Sequence, residues 1–147
     1  MERLPVGVVV VNWNGGSLLD ACLDALAKEP ASRVLVVDNG SDAEELRRLS
    51  ARPGVFVLPL GANRGFASAA NGGAIDARLK ALPYLAFVNN DAVLEPGYLA
   101  ACIGALEADA GLAAVQGVIL DGEGRLADGL GIAWNRRLEA VQLGHGE

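Results

Sequence analysis

The chain has 147 residues, enough for one domain that buries roughly two thirds of its unfolded surface. Although 52% of the residues are hydrophobic, no apolar run approaches the ~20 residues of a membrane span, and Met1 leads into a strand pattern without a signal-peptide start. A net charge of −6 argues against a nucleic-acid partner, which would call for a basic patch.

Taken in order, the chain alternates strand and helix patterns. Val6 to Val11 is a β-branched run closed by the turn chemistry of Asn12, Trp13, Asn14, Gly15 and Gly16. Ser17 with Asp20 has capping-box spacing, and Leu19, Cys22, Leu23 and Leu26 make one helical stripe that Pro30 ends. Val34 to Val37 reads as a second buried strand, ended by Asp38, Asn39 and Gly40. Ser41 with Glu44 repeats the capping box, Leu46 and Leu49 mark a short amphipathic helix, and Val55 to Leu58 is a third strand. Two crossovers in about fifty residues predict a parallel, three-layer α/β/α domain.

The middle of the chain is less regular. Residues 61–65 form a loop, and the small-residue run from Phe66 to Lys80 predicts a helix with Phe66, Ala70, Gly73, Ala74 and Ala77 on its inner face. Gly72 and Gly73 each cost about 1 kcal/mol against alanine in a helix interior, which predicts a close backbone contact at both. Leu85 to Asp91, set between Pro83 and Pro96, is an apolar run ending in two amides and a carboxylate. It reads as a buried parallel strand covered on both faces, the element around which the sheet is organised. Pro96 suits the first position of the next helix, whose stripe is Leu99, Cys102, Ile103 and Leu106 and which Gly111 ends. Leu112 to Leu120 predicts another strand. Beyond Asp121 and Gly122 the pattern loosens to Gly-rich loops, with a hairpin around Trp134. Cys22 and Cys102 fall on apolar helix faces and read as buried free thiols in a reducing compartment.

Chemistry collects at the strand ends. In a parallel sheet Asn12, Trp13 and Asn14, then Asp38 and Asn39, then Asn63 and Arg64, then Asn89, Asn90 and Asp91 all converge on one edge. That edge is where open α/β sheets bind ligands. Asp38 can accept the imide N–H of a uracil or thymine ring, or a ribose hydroxyl. Arg64 can contact the base or neutralise a phosphate, helped by the helix N-terminus beside it. Asp91 can hold Mg²⁺ or Mn²⁺ bridging two phosphates. Each has a plainer reading: a polar turn at 89–91, packing or turn shaping at 12–14, a helix cap at Asp38 and a surface ion pair at Arg64.

Other signatures do not fit. The first turn lacks the G-x-G-x-x-G dinucleotide fingerprint, and no P-loop is present. His145 is the only histidine, which leaves little basis for a Ser-His-Asp or Cys-His pair or a structural zinc site. A receiver-like signalling domain would want an acidic pair after the first strand and a late lysine, whereas here the first strand ends in Asn-Trp-Asn and the lysines are Lys28 and Lys80.

Four segments together carry a resemblance: Val9 to Asn14, Val37 to Ser41, Asn63 to Ala67 with Asn71, and Val88 to Asp91 with Pro96. In this order, each at a strand end, they resemble family 2 glycosyltransferases, and the rhamnosyltransferase-like branch in particular, whose pattern Gly117 to Gly131 is also similar to. The resemblance implies a GT-A fold, a Rossmann-like nucleotide-diphospho-sugar-binding domain with a mostly parallel sheet. It also implies a nucleotide-sugar donor (UDP- or dTDP-linked), a divalent metal, Mg or Mn, and inverting transfer to a hydroxyl of a growing glycan in cell-wall polysaccharide biosynthesis. Residue by residue, it assigns the nucleoside to Asn12, Trp13, Asn14 and Asp38 and a further donor loop to Asn63 and Arg64. Asn89, Asn90 and Asp91 take the place of a D-x-D motif, with Asp91 as the metal ligand and Asn89 replacing the first acid. The family's catalytic base lies in an acceptor-binding half that would begin beyond Glu147, so residues 1–147 read as a single donor-binding domain whose catalytic residue is unknown. A non-catalytic nucleotide-binding or interaction module is the alternative. The expected location is cytoplasmic or peripheral at the inner membrane face, and residual apolar surface would favour a homodimer.

Overall fold

The computed structural model describes residues 3–76, 78–121, 127–129, 131–134, 137 and 140–143. Its contacts divide into two compact units, Met1–Ala100 and Ala101–Glu147. The first unit holds a four-stranded parallel sheet made of β1 (Leu4–Asn12), β2 (Ala31–Asp38), β3 (Val55–Pro59) and β4 (Tyr84–Asn89), in the order β3-β2-β1-β4. Helices α1 (Gly16–Leu26), α2 (Ala43–Ser50) and α3 (Phe66–Ala74) alternate with the strands, and α4 (Tyr98–Ala108) crosses the boundary between the units. The mostly parallel α/β architecture agrees with the sequence reading.

The centre of the sheet is β1, not the strand that was expected to organise it. Its β-branched run is buried without interruption from Val6 to Val10. Since neighbouring strand residues face opposite sides, both faces of β1 are covered. On one face Val9, Leu35, Val37, Ala69 and Leu79 form a core cluster. By contrast β4 is an edge of this sheet, and its side chains alternate between half-buried and exposed, with Phe87 54% exposed. Apolar composition alone could not separate a central strand from an edge.

Several local expectations are corrected. Ser17 does not cap α1: the N-cap is Gly15, without a side-chain bond, and Asp20 instead pairs with Arg48 and Arg52 of the α2 segment. Nor does Ser41 cap α2, because Asp42 accepts from the amides of Glu44 and Glu45. The helix predicted from Phe66 to Lys80 stops at Ala74, and residues 78–81 are turns. Phe66 is exposed, while Ala69, Ala70 and Gly73 are the buried residues of α3; Ala77 lies outside the described residues. Pro96 precedes α4 by two residues, and that helix starts at Tyr98.

What holds the start of α4 was not legible in the sequence. Glu29, after the end of α1, is buried and accepts from the amides of Gly97 (2.6 Å) and Leu99 (3.0 Å). A carboxylate there satisfies amides that an α-helix leaves without partners and complements the helix dipole.

In the second unit the strand expected over Leu112 to Leu120 is confined to β5 (Ile119–Leu120), which pairs antiparallel with β6 (Ala127–Gly129). A hairpin of β7 (Gly131–Trp134) and β8 (Ala140–Leu143) lies where one was expected around Trp134. No helix among the described residues is long and apolar enough to cross a membrane. Both cysteines are free; Cys22 is buried and Cys102 half-buried.

The two helical glycines separate cleanly. A Cβ on Gly73 would stand 2.6 Å from Val9 Cγ1 and 2.9 Å from Val37 Cγ2, so only glycine lets α3 approach β1 and β2 this closely, whereas a Cβ on Gly72 meets nothing within 4 Å. Gly73→Ala should therefore destabilise the fold by about 1–3 kcal/mol through overpacking, and Gly72→Ala should stabilise it by up to about 1 kcal/mol through helix propensity. Urea unfolding of the two variants checks the opposite signs. In the same measurement Glu29→Ala should cost about 1–3 kcal/mol, because it leaves two helix-start amides without an acceptor.

Candidate functional site

The register of the parallel ladder brings three strand ends level. Asn12 pairs with Asp38 across β1 and β2, and Val11 pairs with Asn89 across β1 and β4. Adjacent strands lie about 4.8 Å apart, so Asp38 and Asn89 flank the end of β1 about 10 Å from each other, on the same carboxyl edge of the sheet. Backbone bonds carry the ladders into the loops: Asn39 N donates to Asn12 O at 2.7 Å and Leu60 N to Asp38 O at 2.9 Å.

Asn12 is the hub of this edge, and it is fully buried. Its Nδ2 donates to Ser41 Oγ (3.3 Å) and Glu45 Oε1 (3.2 Å), and its Oδ1 accepts from Gly15 N (3.1 Å) and Asn90 Nδ2 (3.2 Å). Asn14 is the one described non-glycine residue with positive φ, 50°. Its amide donates to Ser41 Oγ (2.9 Å) and its side chain accepts from Asp42 N (3.0 Å). Both asparagines therefore use their side chains on the protein itself. Trp13, between them, stands 58% exposed and is free to lie against a ligand.

The second and third loops are sewn together in the same way. Asn39 Nδ2 donates to Asn63 Oδ1 (3.1 Å), and Arg64 N donates to Asn39 Oδ1 (2.8 Å). Gly40, at φ +88°, allows the approach: a Cβ there would overlap the backbone of Ala62 and Asn63 at 2.6–2.7 Å. Arg64 is exposed, with one guanidinium nitrogen on Leu60 O at 3.2 Å, which leaves other N–H groups facing solvent.

Asp38 stands out from these satisfied groups. It is 2% exposed; its Oδ2 accepts from Ser41 N at 3.2 Å, and its buried Oδ1 has no hydrogen-bond partner among the described residues. Such an acceptor costs about 1–3 kcal/mol or more when left unmade. An incoming N–H or O–H would satisfy it.

At the other side of β1, Asn90 is tied to Asn12 while Asn89 and Asp91 are exposed. Beneath this turn the buried thiol of Cys22 donates to Asn89 O at 3.4 Å. Burial, with the charge of Asp91 adding and that of Arg52 opposing, pushes the Cys22 thiol up to about 11. It stays protonated at neutral pH and packs the turn rather than acting as a nucleophile.

The donor chemistry of this turn fits a hard cation only in part. No group of three ligating acidic, histidine or cysteine side chains occurs among the described residues. Asp91 is the single carboxylate of the turn, with the amide of Asn89 two residues before it. Mg²⁺ and Mn²⁺ tolerate such sparse sites when phosphate oxygens and water complete the shell, so a metal here would arrive with its ligand.

Glu45 was missed in the sequence, where it reads as one more charge near a helix start. Burial pushes its carboxyl up, but hydrogen bonds from Arg48, Asn12 and Gly16 outweigh that and hold it below the usual glutamate range. A separate cavity of about 860 Å³ opens at the other end of the strands, lined by Arg3, Lys28, Arg33, Arg52 and Phe56 among others. Its two acids are engaged, Asp24 by Arg52 and Glu29 by α4, and none of the residues predicted for the site lines it.

Residues 7–142 match the family model described as "Glycosyl transferase family 2". Among solved structures, the chain is similar to TarS 1-349 from S. aureus, with a TM-score of 0.55 and 21% identity over 74% of this chain and 33% of that one. It is likewise similar to a mannosyltransferase, PcManGT from Pyrobaculum calidifontis in complex with GDP-Man and Mn²⁺, with a TM-score of 0.59 and 23% identity over 72% and 33%. The chain thus spans about a third of the solved structures it matches, and at these identities the likeness is one of fold, the GT-A arrangement. No curated protein sequence matches it. The family match, by contrast, covers nearly all of the sequence, and on that ground the chain belongs to glycosyl transferase family 2.

Proposed function

We propose that this chain is the donor-binding domain of an inverting glycosyltransferase of the rhamnosyltransferase-like branch, and that its carboxyl edge takes a UDP- or dTDP-sugar together with Mg²⁺ or Mn²⁺. The observation that carries this reading is Asp38 Oδ1, a buried acceptor with no partner among the described residues, at the edge where parallel sheets bind ligands. Uracil and thymine both present an imide N–H that it can accept; adenine presents no ring N–H on that edge, and guanine presents one only on the larger purine frame. We assign the exposed Trp13 to cover the nucleoside and the solvent-facing N–H groups of Arg64 to a phosphate oxygen.

Asp91, with Asn89 beside it, is the residue we assign to the metal. When bound, the metal offsets the negative charge that develops on the leaving diphosphate. The chain's own residues do the rest of the donor side. Asp38 orients the base, and Asn90, held by Asn12, keeps the Asn89–Asp91 turn facing the diphosphate. The reading stops at the donor: we assign no catalytic base and no acceptor-binding residue among the described residues. The acceptor we expect is a hydroxyl of a glycan.

Thermal unfolding with UDP, dTDP, GDP and ADP, each with Mn²⁺ or with EDTA, tests the proposal. At a hundred times its dissociation constant a ligand stabilises by about 2.7 kcal/mol, roughly 5–10 °C for a chain of this size. A pyrimidine diphosphate should give that shift, larger with Mn²⁺. Asp91→Ala should remove the metal-dependent part. Asp38→Asn keeps the bond from Ser41 but turns the free acceptor into a donor, and should abolish the preference for pyrimidine with or without metal. No shift with any nucleotide would refute the donor-site reading.

A further inference from the structure

Asn12 makes all the hydrogen bonds its amide allows, two given and two accepted, and its orientation is forced. Gly15 N can only donate and the Glu45 carboxylate can only accept, so a flipped amide would lose both. The forced orientation in turn presents Oδ1 to Asn90 Nδ2 and so pins the residue next to Asp91.

Glu45 sets this arrangement from behind. It lies in α2, buried, with Oε1 also accepting from Gly16 N (3.3 Å) and Oε2 accepting from Arg48 Nη2 (2.7 Å). Arg48 extends the chain of contacts to Asp20 of α1. Helix packing alone would be served as well by an apolar side chain, and burying a carboxylate is costly unless its hydrogen bonds are made. Here they are made, and they reach the three elements that meet at the edge: the β1 end through Asn12, the α1 start through Gly16, and the 89–91 turn through Asn12 and Asn90.

We propose that Glu45 is a positioning residue for the diphosphate and metal end of the site, acting through Asn12 on the turn that carries Asp91. The proposal rests on the donor-site reading above and adds a residue that touches no ligand. Its charge is held by Arg48, so it orders the turn without repelling an anionic ligand.

The test uses the whole chain with UDP and Mn²⁺ as probe, at a temperature where circular dichroism shows every variant folded. Asn12→Asp sets an acceptor against Glu45, and Glu45→Ala removes the anchor. Each should weaken Mn²⁺-dependent UDP binding by about ten- to a hundredfold, the range typical when the group that orients a metal ligand is lost. Adding Glu45→Gln to Asn12→Asp restores a donor opposite the new acceptor, at the expense of the bond from Gly16 N, and should recover part of that loss. A role confined to overall stability would not produce such a recovery among fully folded variants. Hydrogen exchange provides a second readout that needs no nucleotide: amides of 89–92 should exchange faster in both single variants while β1 and β2 stay protected. Unchanged exchange in the turn, or a double variant that binds no better than Asn12→Asp, would overturn the positioning role. Failure of the unmodified chain to bind any nucleotide would instead refute the donor-site reading, and the exchange result would then decide the positioning role alone.

Discussion

Everything at the carboxyl edge depends on β1 pairing in parallel with two neighbours at once. That pairing fixes Asn12 opposite Asp38 on one side and Val11 opposite Asn89 on the other. A slip of one residue in either ladder would reverse the faces of a whole strand and bury the wrong side chains, so the hydrophobic pattern of β1, β2 and β4 sets the geometry of the polar edge. The core specifies the site even though none of its side chains enters it.

Above that core, the edge divides its polar groups into two populations. Asn12, Asn14, Asn39 and Asn63 spend their hydrogen bonds on neighbouring side chains and on the loop backbones, which ties the loops of the edge together. Asp38 Oδ1 is left buried and without a partner among the described residues, and Trp13, Arg64, Asn89 and Asp91 are exposed. Rigid loops carrying a few unsatisfied groups are what a preorganised binding site requires, because the cost of ordering them is met on folding rather than on binding.

Much of this was legible from residue types. The β-branched runs gave the first three strands, and the turn residues after them located the edge. The strand ends could be placed together because parallel sheets leave little choice of where loops converge. What could not be read were facts that depend on distant partners. Leu85 to Val88 looks like a central strand, yet β4 lies at an edge of the sheet. Gly72 and Gly73 are indistinguishable in sequence, and only one of them meets a neighbouring strand. Asn12 and Asn14 read as ligand-facing, but their side chains bond to Ser41, Asp42 and Glu45, 28 to 33 residues away, and to Asn90, 78 residues away. Glu29 and Glu45 look like surface charge until their acceptor roles are seen, 68 and 33 residues from the groups they bind.

We propose that the nucleotide sits at the carboxyl edge with its base on Asp38 and its diphosphate toward Asp91. A crystal structure of the chain grown with UDP and Mn²⁺ measures this directly. The uracil imide nitrogen should lie within hydrogen-bonding distance of Asp38 Oδ1, with the metal on Asp91. Nucleotide seated instead in the cavity at the opposite end of the strands, against Lys28 and Arg33, would contradict it.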